Sequence, residues 1–247
     1  MRDFMEDKVG YMSLDLYKKI FEKHIPESIK LNWRGEPFLN KSIIKMVEYA
    51  KSKGVQEVSI NTNGLLLSEG MLHALSWAGL DWLIFSVDSV DPRTYEKIRV
   101  GGDFLKLVKN IIRARIVFDS IPNAPSIRIQ MCKQPANIHE VQEWKKMFGV
   151  YADKLRIGKL HDPQGKRGYS MKLPNGCSSL WQRLVIDWQG NICLCPGDFL
   201  RKVDLGNITD AGIREAWNSI KLKGLRILMA TKGRKSIPLC DKCTSYC

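Results

Sequence analysis

The first 131 residues of this 247-residue chain contain no cysteine. That excludes a thiol-built metal centre or a disulfide within the front half. No apolar run reaches the ~18 residues of a membrane-spanning helix. The N-terminus, Met1-Arg2-Asp3-Phe4-Met5-Glu6-Asp7, lacks the apolar core of a secretory signal. Both absences lead us to expect a cytoplasmic protein. In that compartment closely spaced cysteines serve as metal or redox ligands more often than as disulfides. Histidine is scarce, and His24, His73, His139 and His161 show no ligand spacing.

Acidic residues are thin in one half. Residues 1–123 carry 18 Lys/Arg against 16 Asp/Glu, whereas residues 124–247 carry 21 against 10, so +11 of the net +13 lies there. A basic half suits an acidic substrate or nucleic acid. The charges nevertheless come as short pairs such as Lys166-Arg167, Arg201-Lys202 and Arg234-Lys235. No aromatic residues interleave with them as a nucleic-acid platform requires. A solvated lysine-rich surface is the simpler expectation, and nucleic acid is not an expected partner.

What is present is an alternation of apolar periods. Helical spacing runs over 14–23, 41–53, 69–78, 104–118 and 138–148, and Asp91-Pro92 opens a further short helix. Between these, 29–33, 58–60, 82–85, 127–131 and 155–157 read as strands. Strand and helix recurring in this way predict a parallel sheet or barrel, with its active site at the C-terminal strand ends. Three successive strands end in polar or glycine-containing clusters, at 34–36, 61–64 and 86–88. We expect these ends to converge on one ligand site, although turns use the same residue types.

Composition shifts at 161–176, which is turn-rich and reads as a linker. Beyond it, 184–187 and 191–194 flank Trp188-Gln189-Gly190 as a hairpin, Thr209 or Asp210 is placed to cap a helix through Trp217, and another helix covers 221–229. This tail holds six of the seven cysteines: Cys177, Cys193, Cys195, Cys240, Cys243 and Cys247. Thiolates suit zinc and iron–sulfur iron alike, and Cys240-Asp241-Lys242-Cys243 is a common bite for either. Cys177, Cys195, Cys240 and Cys243 make a complete set. Cys193, two residues before Cys195, shares its face if the strand is regular, and Cys132 is expected in the core. Spacing leaves open a zinc ribbon that binds nucleic acid, which a barrel-like front half disfavours.

Taken together, these motifs resemble the radical S-adenosylmethionine (SAM) enzymes that carry a C-terminal SPASM iron–sulfur domain. Gly35-Glu36-Pro37 resembles the family's glycine–glutamate motif, Asn61-Thr62-Asn63-Gly64 its Thr-Asn-Gly signature, and Ser86-Val87-Asp88-Ser89 with Arg99 the region after the next strand. Cys177-x12-Gly190-x4-Cys195, Leu205-Gly206-Asn207-Ile208 and Pro238-x-Cys240-x2-Cys243 are similar to successive parts of the SPASM motif. The resemblance implies a partial (β/α)6 TIM-like barrel lacking its first strand over residues 1–160, a linker at 161–176, and an α+β SPASM domain at 177–247. It implies SAM bound by Gly35, Glu36, Asn63, Ser86, Asp88 and Arg99. In those roles Glu36 accepts from the SAM amino group, Ser86 and Arg99 hold its carboxylate, and Asp88 touches ribose or substrate. One auxiliary 4Fe–4S cluster would sit on Cys177, Cys195, Cys240 and Cys243.

The implied activity is hydrogen-atom abstraction by a 5′-deoxyadenosyl radical, acting on a peptide or small-molecule substrate, with an electron donor such as flavodoxin or ferredoxin. One family feature is absent from the sequence, the Cys-x3-Cys-x2-Cys loop that holds the SAM-cleaving 4Fe–4S cluster. That cluster is therefore expected only in a longer form of the protein. The rival expectation is a degenerate, non-catalytic homologue.

Overall fold

A computed structural model describes residues 10–160 and 175–243. They fall into two compact units, the described residues of Pro26–Leu160 in one and those of Met1–Ile25 and His161–Cys247 in the other. The expected front domain began at residue 1. By packing, helix α1 (Leu14–Ile20) groups with the cysteine-bearing tail. The reason is local packing: Gly10 lies against the Trp188 ring, and Lys23 lies against Gly212. The expected linker falls largely on residues outside those described.

The larger unit is a five-stranded sheet in the order β1 to β5, every neighbouring pair parallel. The strands are β1 (Ser28–Lys30), β2 (Glu57–Thr62), β3 (Trp82–Ser86), β4 (Ser126–Lys133) and β5 (Lys154–Lys159). Helices α2 (Ile43–Ser52), α3 (Glu69–Trp77), α4 (Pro92–Ile98), α5 (Phe104–Asp119) and α6 (Val141–Gly149) provide the crossovers. This sequential parallel order is the α/β barrel-type arrangement that the alternation predicts.

Strand alternation assigns the two faces. Val58, Ile60, Leu83, Phe85, Ile127 and Ile129 are fully buried on one face, and Leu72 and Leu75 of α3 and Leu107 and Ile111 of α5 are fully buried as well. Each such side chain contributes about 1.5–3 kcal/mol on leaving water. Asn61, Ser86, Arg128, Gln130 and Cys132 occupy the other, polar face. Cys132 is thus half-buried at a strand end rather than a core residue.

β1 is shorter than the predicted 29–33. Leu31 still donates to the Ser59 carbonyl, but the next ladder bond is replaced, because Asn61 N–H goes to the Asn32 side chain at 2.9 Å. An asparagine amide mimics the backbone and releases the chain from the sheet.

In the smaller unit, β6 (Val185–Ile186) and β7 (Ile192–Cys193) form the expected hairpin. Asp187 closes it by accepting from Gln189 and Asn191 backbone N–H groups at 2.8 and 2.9 Å. A short helix, α7 (Ser179–Gln182), precedes it, and α8 (Ile213–Trp217), α9 (Ile220–Thr231) and α10 (Pro238–Asp241) follow. Neither Thr209 nor Asp210 caps α8. Gly212 holds the cap position, and the Thr209 hydroxyl bonds Asn207. No helix among the described residues is long and apolar enough to cross a membrane.

Candidate functional site

Glu36 is the anchor of the strand-end cluster. Its Oε1 accepts from the Thr62 hydroxyl at 2.7 Å and from Phe38 N–H at 3.3 Å, and its Oε2 accepts from Asn63 N–H at 2.7 Å. One carboxylate therefore joins the turn after β1 to the end of β2. Gly35 has φ of +75°, with no atom within 4 Å of where a Cβ would stand. The backbone here is reserved for glycine, and the space beside it is open.

The Asn63 side chain accepts from Leu65 N–H at 2.9 Å, turning the chain after β2. Gly64 is more constrained. At φ +77°, a Cβ would meet Leu107 Cδ1 at 2.6 Å and Phe85 Cδ1 at 2.9 Å. One layer along the polar face, Asn61 Nδ2 donates to Ser86 Oγ at 3.0 Å, and Gln130 Nε2 donates to Asn61 Oδ1 at 2.7 Å. Sequence reasoning placed Asn61 and Thr62 in the strand-end motif without giving them a role, and it missed Gln130. Parity within the strand was the signal that could have found Asn61 and Gln130.

Asp88 and Arg99, assigned separate ligand roles from sequence, meet each other. Arg99 Nη2 lies 2.8 Å from Asp88 Oδ2, while Asp88 Oδ1 accepts from Cys132 N–H at 2.7 Å. The Nε–H of Arg99 is buried with no hydrogen-bond partner among the described residues. An unmet guanidinium donor beside a polar strand end fits a ligand carboxylate. The segment leaving β3 is pinned by residues that sequence did not single out. Trp144 Nε1 donates to the Val87 carbonyl at 2.8 Å, Asn137 Nδ2 to the Asp88 carbonyl at 2.6 Å, and Glu140 accepts from Val90 N–H at 2.7 Å. Asp91 then caps α4 through Thr94 N–H at 2.7 Å, and Arg99 emerges at the far end of that helix.

The second cluster lies in the smaller unit. Cys177, Cys195, Cys240 and Cys243 are each half-buried. Burial, reinforced by Cys195, Cys243 and Cys177, pushes the Cys240 thiol up to about 12. Burial also pushes Cys195 up to about 11, with Cys243 adding to the effect. Mutual coupling of this kind means that four thiols from three chain segments share one neighbourhood. They fit a group that supplies positive charge to four thiolates.

Cys193 closes β7. It is 1% exposed within the hairpin, and its Sγ faces the Asn191 carbonyl at 3.8 Å. The expected shared face with Cys195 rested on a regular strand, and β7 ends at Cys193. Among the described residues, no three His, Cys, Asp or Glu side chains are grouped tightly enough for a single metal ion. A lone zinc would draw four sulfurs to within roughly 3.8 Å of one another. Cys247 lies outside the described residues.

Comparison with known protein families finds two domains. The profile of the Radical SAM superfamily matches residues 11–123, and that of the SPASM iron–sulfur cluster-binding domain matches 177–244. The chain carries a radical SAM domain. It carries a SPASM domain C-terminal to the radical SAM domain, and with these domains come SAM and 4Fe–4S clusters as cofactors. A probable GTP 3′,8-cyclase of Methanococcus maripaludis is 38% identical over 112 residues, which are 44% of this chain and 37% of the relative. The chain thus covers little more than a third of that protein's length. The crystal structure of BtrN in complex with AdoMet and 2-DOIA superposes with a TM-score of 0.63 at 21% identity, covering 97% of this chain and 82% of that one. Streptococcus suis SuiB bound to the precursor peptide SuiA gives 0.64 at 15% identity, covering 89% and 60%. At these identities the structural likeness concerns the fold alone.

Proposed function

We propose that this chain serves a radical SAM/SPASM reaction, with SAM at the strand-end cluster of the larger unit and one auxiliary 4Fe–4S cluster on Cys177, Cys195, Cys240 and Cys243. The reaction class is hydrogen-atom abstraction from a peptide or small-molecule substrate. The observation that carries the SAM assignment is the Glu36 carboxylate, fixed by Thr62 and Asn63 next to the open Gly35 turn. In this arrangement Glu36 accepts from the SAM ammonium, Ser86 and the unmet Nε–H of Arg99 take its carboxylate, and Asn63 shapes the loop around it. Asp88 orients the Arg99 guanidinium by pairing with it.

When bound, SAM supplies the adenosyl group that begins hydrogen abstraction, and the auxiliary cluster supplies a path for an electron. The SAM-cleaving cluster does not fit this chain, because residues 1–131 contain none of the three thiolates it needs. No cleavage step is therefore assigned to these residues. An external electron donor of the flavodoxin or ferredoxin kind belongs to the same proposal. For substrate class, the cyclase relatives are named for GTP and SuiB was solved with a peptide.

Equilibrium dialysis with labelled SAM tests the assignment. The wild-type chain is expected to retain SAM. Glu36→Gln, which turns an amide N–H₂ toward the Asn63 N–H or the Thr62 hydroxyl, is expected to weaken retention about tenfold. Equal retention by wild type and variant would remove Glu36 from the site.

A further inference from the structure

Arg234 is 7% exposed, unusual for an arginine, and it lies in the segment that joins α9 to α10. Its backbone N–H donates to the Asn175 carbonyl at 2.8 Å, two residues before Cys177. Its Nη1 donates to the Cys243 carbonyl at 3.3 Å. Its own carbonyl accepts from Ile237 N–H at 3.1 Å, and the Ile237 carbonyl in turn accepts from Cys240 N–H at 2.8 Å. One buried residue therefore touches the segments that present Cys177, Cys240 and Cys243.

Resting on the auxiliary-cluster assignment above, we propose that Arg234 is a charge-compensating positioning residue for that cluster and raises its reduction potential. Four thiolates around a 4Fe–4S core leave a net negative charge. One-electron reduction by an external low-potential donor adds one more, with no bond made or broken in the protein. A fixed guanidinium in a partly desolvated setting favours the more negative state. Net charge and hydrogen bonding around the sulfurs are among the levers that set such potentials. At an effective dielectric of about 20, a unit charge within roughly 10 Å of a redox centre changes its equilibrium by about tenfold or more. For a one-electron couple, tenfold corresponds to about 59 mV.

The test is a dithionite titration of the anaerobically reconstituted full chain followed by electron paramagnetic resonance, with iron counted in each sample. Arg234→Met removes the charge and keeps the bulk, whereas Arg234→Lys keeps the charge. We expect Arg234→Met to be harder to reduce by about tenfold, with Arg234→Lys within about threefold of wild type. A change that follows charge and spares the lysine variant is not what a purely structural role would give. Iron lost from the methionine variant but held by the lysine variant would also support compensation. The proposal is overturned by equal potentials in wild type and Arg234→Met. It is equally overturned if both variants lose iron while keeping wild-type circular dichroism, since the fork geometry alone would then matter. A wild-type chain that takes up no iron would instead defeat the cluster assignment, an outcome distinct from either of these.

Discussion

Arg99 and Asp88 form an ion pair at 2.8 Å across the end of β3, and Asp88 spends its other oxygen on the Cys132 N–H at the end of β4. The pair therefore links a helix end to two adjacent strands. Asp88 is 5% exposed, so its charge is held by these partners rather than by water.

Asp88→Asn should cost about 1–3 kcal/mol in urea unfolding. Removing one partner of a buried pair is expensive, but Arg99 retains some solvent contact, which lowers the penalty. SAM retention should fall as well, because Arg99 loses the group that aims it. A stability loss under about 0.3 kcal/mol would show that the pair contributes little.

Gly64→Ala places a methyl group against Leu107 and Phe85 at a left-handed backbone position. Strain and overpacking should together destabilise the larger unit by about 2–4 kcal/mol. Thermal or urea unfolding reads this directly, and a near-neutral result would contradict the geometry of the β2 exit.

The raised thiols give the cluster-free chain a pH signature. Cys195 and Cys240 titrate at about 11 and about 12 in the fold, above an ordinary thiol. The folded state then binds more protons than the unfolded state once pH exceeds ~8.5–9, so stability is complete below that and declines toward pH 12. Unfolding followed against pH should show this alkaline decline in wild type. It should be reduced in Cys240→Ser, and a profile unchanged by that substitution would contradict the burial.

Much of this architecture was legible in the sequence. Apolar spacing located all five strands and the crossover helices, because the buried face of each strand is filled by residues such as Val58, Leu83 and Ile127. The strand-end motifs likewise singled out Glu36, Asn63, Ser86 and Asp88. What escaped were partnerships across long stretches of chain. Glu140 holds Ser89 and Val90 about fifty residues upstream, and Arg234 reaches back to Asn175. Local periodicity carries no record of such pairs. The early end of β1 was hidden for a related reason, since an Asn32 side chain that replaces a ladder bond looks like one more strand residue. Spacing alone reads Cys193 and Cys195 as one regular strand, whereas β7 ends at Cys193.

The most direct test of the account is the metal content of the anaerobically reconstituted chain. We predict a brown protein with broad absorption near ~400 nm and about four irons, the complement of one 4Fe–4S cluster. Cys193→Ser should keep that complement, whereas Cys177→Ser, Cys195→Ser, Cys240→Ser and Cys243→Ser should each deplete it. A colourless protein holding one zinc, or full iron retained in Cys240→Ser, would contradict the account.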